Sequence, residues 1–351
     1  MRDVAALAGV GVMTVSRVVN GRGGVGPERA ARVWHAIEQL DYRHNVTARN
    51  LRLTGQLTAT IGVLLEDVAN PPSAELLRAI EKVVSERNCL LLCASSDGSA
   101  ERERALLAAF CTRRVDGLII DPCALDHRYL LPEVRRGIQV VFTGRPAPTV
   151  AADTVLSDNV GGARSAVAHL MAHGHTRIGF LGDLSHASTA AERYRGYQAA
   201  LRDGGIQEDG SLIRRDVRTA QSAQRAVGEL LGSSRAPTAM FTAQYLLTLG
   251  TRAALAAMGR EWEVAHVGFD DISFASIVKP GISVVTQDPV AMGTIAAQLL
   301  LQRIRDPGGT PQTIKIPVSL IARGSGELPP PDAGKARARR PAPAARPSMA
   351  R

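Results

Sequence analysis

The sequence predicts two dissimilar parts: an all-α helix-turn-helix head, and an α/β body of two Rossmann-like lobes. Three observations carry that prediction. Residues 1–44 hold short apolar runs at helical spacing, broken by turn residues such as Gly9 and Asn20-Gly21. From Ile61 onward, apolar runs alternate with amphipathic stretches, the pattern of repeated βαβ crossovers. The charge is also divided. Residues 1–55 carry eight Arg against four acids, and residues 327–351 carry six bases against two. The middle, 56–326, is almost neutral, with 28 bases and 27 acids. A basic head on a near-neutral globular body suits a protein that binds a polyanion through the head.

In the head, Asp3–Ala8 forms a first helix that stops at Gly9, and Val12–Val19 a second that stops at Asn20-Gly21. Pro27 opens a third over Glu28–Leu40, with Val33, Ile37 and Leu40 as its buried stripe. Two short helices across a tight turn, backed by a third, make a helix-turn-helix bundle.

In the body, strands are predicted at 61–65, 90–94, 117–120, 140–142, 178–181, 239–241, 264–268 and 282–285. Helices at 74–86, 101–112, 163–172, 190–202 and 221–231 separate them. A body of this size accommodates two such lobes, and ligands in open α/β sheets bind beyond the carboxyl ends of the strands. Between head and body, 45–55 is too short and arginine-rich to fold alone, although Ala48, Asn50 and Leu51 permit a marginal helix ordered by contact. The Pro/Ala/Arg-rich stretch 327–351 reads as a disordered basic tail.

Several classes are excluded. No apolar run approaches the ~18 residues that span a bilayer, and no apolar segment follows Met1 to form a signal peptide, so the cytoplasm is expected. Cys89, Cys93, Cys111 and Cys123 match no disulfide framework or C-x-x-C pair and read as buried thiols. No nucleophile elbow or phosphate loop is present, and the residues suggest no enzyme and no cofactor. His169, His173 and His175 resemble a zinc cluster, but His173-Gly174-His175 reads better as a helix stop before a strand, so no metal is expected.

The run Asp3-Val-Ala-Ala-Leu-Ala-Gly-Val-Gly-Val-Met-Thr-Val-Ser-Arg-Val-Val-Asn20 resembles the DNA-binding head of the LacI/GalR repressor family. The body agrees at Gly117–Ile120, Asp158-Asn159, His173–Gly179, Arg193–Tyr197, Pro237–Ala239, Gly268–Asp271 and Gln287, in the right order and at the right distances. That resemblance implies a homodimeric, ligand-responsive repressor whose body has the fold of type I periplasmic binding proteins. It implies a head at 1–44, a hinge at 45–55 and a body at 56–326. The first lobe would comprise about 56–157 and 288–313, and the second 158–287 and 314–326.

By the same resemblance the second helix lies in the major groove of a palindromic operator. Val12, Met13 and Arg17 would face the bases, while Thr14, Ser16, Asn20 and Asn45 would serve the DNA site beside them. Arg17 can chelate a guanine through O6 and N7, whereas Val12 and Met13 can only pack on shape or a thymine methyl. Ala48 would face the minor groove and Leu51 would wedge between central base pairs, unless the segment is an ordinary polar linker. In the cleft, Asp158, Arg193, Asp270 and Gln287 would hold an effector such as a sugar, a nucleoside or a related polar metabolite, with Asp67 at the entrance. Arg193 and Asp270 could instead form a surface ion pair or a cap.

Three departures bear on these expectations. Ala243-Gln244-Tyr245 stands where relatives often have Asn-Asp, leaving Gln244 to bond a ligand hydroxyl. The segment Arg215-Asp216-Val217 offers Val217 where relatives often stack an aromatic ring. Relatives also carry residues ahead of Asp3, including a hydroxyl N-cap worth ~1 kcal/mol, which an upstream start codon would restore. The tail has no heptads, so a dimer is expected rather than a tetramer. A transporter's solute-binding protein shares the body fold, but it would carry an export signal and no basic head.

Overall fold

The computed structural model describes residues 1–19, 23–42 and 57–331. The chain divides into two compact units, Met1–Thr58 and Ala59–Arg351. In the first unit, α1 (Arg2–Ala8), α2 (Val12–Val19) and α3 (Pro27–Gln39) pack around Val4, Ala5, Ala8, Val15, Val33 and Ala36. Gly9 ends α1 in the left-handed conformation, at φ 61°, which glycine adopts without strain. Met1 caps α1 with no side-chain hydrogen bond. Asn20, Asn45, Ala48 and Leu51 lie outside the described residues.

The second unit contains two six-stranded sheets. The first has the order β11-β5-β4-β3-β1-β2 and is parallel throughout. Its strands are β1 (Thr60–Leu65), β2 (Leu90–Ser95), β3 (Gly117–Ile120), β4 (Gln139–Thr143), β5 (Asp153–Ser157) and β11 (Thr313–Ile316). Helices α4 (Pro71–Ser85), α5 (Ala100–Thr112), α6 (Leu131–Arg135) and α11 (Pro289–Arg305) belong to this lobe. The second sheet has the order β12-β10-β9-β8-β6-β7. Its strands are β6 (Ile178–Leu181), β7 (Ile213–Arg214), β8 (Ala239–Thr242), β9 (Ala265–Phe269), β10 (Ser283–Thr286) and β12 (Ser319–Ile321). Only β12 runs antiparallel to its neighbour, β10. Helices α7 (Asn159–Ala172), α8 (Ser188–Asp203), α9 (Ala220–Gly232) and α10 (Tyr245–Ala257) accompany this sheet. Buried Val, Ile, Leu and Phe fill both lobes, as sheets covered on both faces require.

The eight strands and five helices expected from the sequence are present, with ends moved by up to four residues. Four expectations change. Leu40, expected in the buried stripe of the third helix, lies just past the end of α3 and is 43% exposed. The last crossing between lobes falls at 317–318 rather than 313/314, because Ile314, Lys315 and Ile316 pair with Val155, Leu156 and Ser157 of the first sheet. Residues 327–331 belong to the body rather than to a tail. Glu327 accepts from Ser283 Oγ and the Gly324 amide and pairs with His169, and the Leu328 carbonyl accepts from His175 Nε2 at 2.7 Å. The thiols are less buried than expected: Cys93 is exposed on edge strand β2, and Cys89, Cys111 and Cys123 are half-buried. No helix among the described residues is long and apolar enough to cross a membrane.

Candidate functional site

On α2 the helical period sorts the side chains into two faces. Val15 is fully buried in the head core, with Val18 and Val19 packed partly against it. Val12 is 44% and Met13 72% exposed, Arg17 is exposed, and Thr14 and Ser16 are half-buried. Exposed apolar side chains on so small a unit leave a surface suited to packing on base edges. Arg17, four residues after Met13, lies on the same face.

The body's site lies where strand ends from both sheets converge. A cavity of about 580 Å³ is lined by the residues that follow each strand: Glu66 and Asp67 after β1, Asp121 after β3, Gly144 and Arg145 after β4. Across from them lie Asp183 after β6, Ala243–Tyr245 after β8, Asp270 after β9 and Gln287 after β10. This is the carboxyl-end crevice that parallel sheets provide.

Arg193, on α8, is 7% exposed. Its Nε donates to Asn159 Oδ1 at 2.9 Å and its Nη1 to the Ala243 carbonyl at 2.8 Å. The guanidinium lies 3.8 Å above the Phe269 ring centroid and 3.7 Å from Asp270 Oδ2. Burial pushes its pKa down, against the pull of Asp270 and Asp183. Asp270 sits at φ 72°, a left-handed conformation in a non-glycine residue, which is a form of local strain that tends to occur at functional sites. Gln287 Nε2 donates to its Oδ1 at 2.5 Å. The structure thus joins buried Arg193 and Asp270 to half-buried Gln287 in one polar unit on the cavity wall.

The other expected residues divide. Asp67 lines the cavity but is exposed, and its Oδ1 accepts from the Ala69 amide. Gln244 lines the cavity, with Oε1 committed to capping α10 through the Leu246 and Leu247 amides. Asp158 does not line the cavity. It caps α7 by accepting from the Gly161 amide at 3.2 Å, and its neighbour Asn159 is the one that holds Arg193. Val217 does not stand in the cleft either, being buried in the second lobe's core. The next residue, Arg218, lines the cavity instead. An aromatic, Tyr245, does line the cavity.

Sequence reasoning missed Asp121, Arg145, Asp183 and Arg218. Burial, with Glu66 and Glu103 nearby, raises the Asp121 pKa to about 6 despite Arg145 at 4.0 Å. Its Oδ1 has no hydrogen-bond partner among the described residues. The loop carrying Asp121 is held from behind by buried Glu103, which accepts from the Cys123 amide at 2.6 Å and Tyr129 Oη at 2.7 Å. Burial alone would raise the Glu103 pKa; His127, Cys123 and Tyr129 together hold it at about 2. The three histidines serve the fold. His169 pairs with Glu327, His173 Nδ1 donates to the His169 carbonyl, and His175 lies between Thr238 and Leu328.

Residues 1–45 match the family described as bacterial regulatory proteins, lacI family, and residues 167–326 match the periplasmic binding protein-like domain. The HTH-type transcriptional regulator GalS of Salmonella typhimurium is 34% identical over 304 residues, covering 86% of this chain and 89% of GalS. The ribose operon repressor of Escherichia coli is 30% identical over 338 residues, covering 93% and 99%. Among solved structures, the Lac repressor dimer bound to operator and the anti-inducer ONPF is similar with a TM-score of 0.80 at 26% identity, covering 92% of this chain and 98% of that one. The regulator CelR with cellobiose is similar at 0.68 and 30%, with the same coverage. By its head, its two-lobed body and these relatives, the chain belongs to the LacI family and is a DNA-binding transcriptional regulator, not an enzyme.

Proposed function

We propose that this regulator is a cytoplasmic repressor that binds a palindromic operator as a homodimer and is switched by a small, hydroxyl-bearing polar effector in the cleft between its lobes. The observation that carries the effector reading is the Arg193–Asp270–Gln287 unit on the cavity wall, whose ion pair is buried. A hydroxyl group both donates and accepts, so a ligand with neighbouring hydroxyls can bond the cation and the carboxylate together. Relatives solved with ribose or cellobiose agree with that class. In the head, Val12, Met13 and Arg17 read the major groove, with Thr14, Ser16 and Asn20 beside them, while Asn45, Ala48 and Leu51 form a hinge in the minor groove. The head occupies 1–44 and the hinge 45–55.

Linkage couples the two sites: an effector that weakens operator binding is itself bound more weakly by the operator complex. Selection on random duplexes should enrich one palindrome with a steep salt slope. A panel of sugars and nucleosides scored by operator release should then give a responder, and Arg193→Ala should lose that response while keeping operator affinity. A response intact in Arg193→Ala would move the effector out of this cleft.

A further inference from the structure

One ionic cluster in the cleft joins the two lobes directly. Glu66 follows β1 of the first lobe, and each of its carboxylate oxygens accepts from a different arginine. Arg145, after β4 in the same lobe, donates to Oε2 through Nη2. Arg218, just before α9 in the second lobe, donates to Oε1 through Nη2 at 2.5 Å. The Arg218 guanidinium also rests against Gly98, which follows β2. A Cβ added at Gly98 would collide with it, and Gly98 has φ 70°. The first lobe therefore has a notch that receives a side chain of the second.

The cluster stands within the inter-lobe space. A smaller cavity of about 250 Å³ shares Glu66, Arg145, Asp183 and Arg218 with the larger one, so these residues form the partition between the two. The lobes are otherwise joined by chain crossings after β5, after β10 and between β11 and β12. Connections of this kind permit hinge motion, so a charge pair across the cleft can set the degree of closure.

We propose that Glu66 and Arg218 form a cross-lobe clasp, positioning residues that hold Arg193 and Asp270 of the second lobe opposite Asp67 and Asp121 of the first before an effector arrives. The inference rests on the reading of this cleft as the effector site. A clasp of this kind assembles both walls in advance. Without it, the ligand meets a partly populated closed form, and its apparent affinity falls by that fraction.

The test reads lobe separation with no ligand present. Nitroxides are attached at Glu101→Cys and Arg225→Cys in the full chain, with the four native cysteines replaced by serine, and their separation is measured by double electron–electron resonance. The native chain, mixed with an excess of unlabelled chain so that each dimer carries at most one labelled protomer, should give one short, narrow distribution. Arg218→Gln and Glu66→Gln should each give a longer, broader distribution. As a second readout on chains with native cysteines, amide exchange over residues 96–99 should be about tenfold faster in Arg218→Gln than in the native chain. Distances and exchange that do not change in Arg218→Gln overturn the clasp. Because the experiment contains no effector, those outcomes leave the cleft reading to be decided by Arg193→Ala.

Discussion

Replacing Arg193 with methionine keeps much of the side chain's length and removes its charge. The structure sets the size of the effect. Asp270 is 6% exposed and would lose the cation 3.7 Å away, keeping only Gln287 as a bonded partner. Asn159 Oδ1 and the Ala243 carbonyl would each lose a charged donor. Removing one member of a buried pair costs about 3–5 kcal/mol, mostly through the stranded charge. For a body of this size, about 2–4 °C per kcal/mol puts the fall in melting temperature at roughly 6–20 °C. Adding Asp270→Asn should restore part of the loss, because the stranded carboxylate is then neutral. Urea melts of the single and double variants, followed by circular dichroism, measure both quantities. A cost below about 1 kcal/mol for Arg193→Met, or a double variant no more stable than the single, would refute the argument that this arginine compensates a buried charge.

Three further outcomes follow from other parts of the molecule. Arg17→Ala should weaken operator binding by about 1–3 kcal/mol and relax the preference at one base pair, read by mobility shift across single-base operator variants; an unchanged preference removes Arg17 from the readers. Asp121 has a pKa near 6 in the folded chain against 3.8 as its ordinary value. Its contribution to stability therefore grows as pH falls from about 6 to 4, and its ionised form costs stability at pH 7. Asp121→Asn should stabilise the body at pH 7 by about 1–3 kcal/mol and flatten that slope in urea melts, while weakening effector binding; no gain at pH 7 would contradict the burial argument. His266 is pushed down to about 3 by burial and by Arg252. Between about pH 6.5 and 3 the unfolded chain takes up a proton that the folded one refuses, so stability falls with pH by up to about 1.4 kcal/mol per unit. Melts of His266→Gln over that window should show a shallower slope, and an unaltered slope would place the acid sensitivity elsewhere.

The fold was legible where a buried strand is purely apolar. Gly117–Ile120 and Ile178–Leu181 have the bounds that their apolar runs suggest. It was hidden where polar groups are satisfied inside the sheet. β5 begins with Asp153, which is buried because Arg303 donates to both its oxygens and the Gln312 amide bonds it as well. Those partners come from 150 or more residues away, so no local pattern could reveal them. The site divides in the same way. Arg193, Asp270 and Gln287 were found because each sits in a recognisable run of residues. Asp121, Arg145 and Arg218 have no such run, and only the parallel register of β1, β3 and β4 brings the first two beside Glu66.

A physical rule would have recovered most of them. In a parallel sheet the residue just beyond each strand's carboxyl end lies at the crevice, so the first charged or amide side chain after each apolar run is a candidate. Applied here, the rule selects Glu66, Asp97, Asp121, Arg145, Asp183, Gln244, Asp270 and Gln287, all of which line the cavity. It fails at the edge strands β7 and β11, where it selects Arg215 and Arg323 away from the cavity. It also selects Asp158, after β5, and there it fails for an identifiable reason. Helix α7 starts at the very next residue, and its free N-terminal amides take the Asp158 carboxylate, the Gly161 amide donating to Oδ1. Gln244 also caps the helix that starts at once behind it, yet it remains on the cavity wall. A helix that begins directly after a strand thus competes with the crevice for the polar residue at the junction. Whether the crevice keeps that residue depends on the direction in which its side chain leaves the backbone, a three-dimensional property that the spacing of residues does not contain.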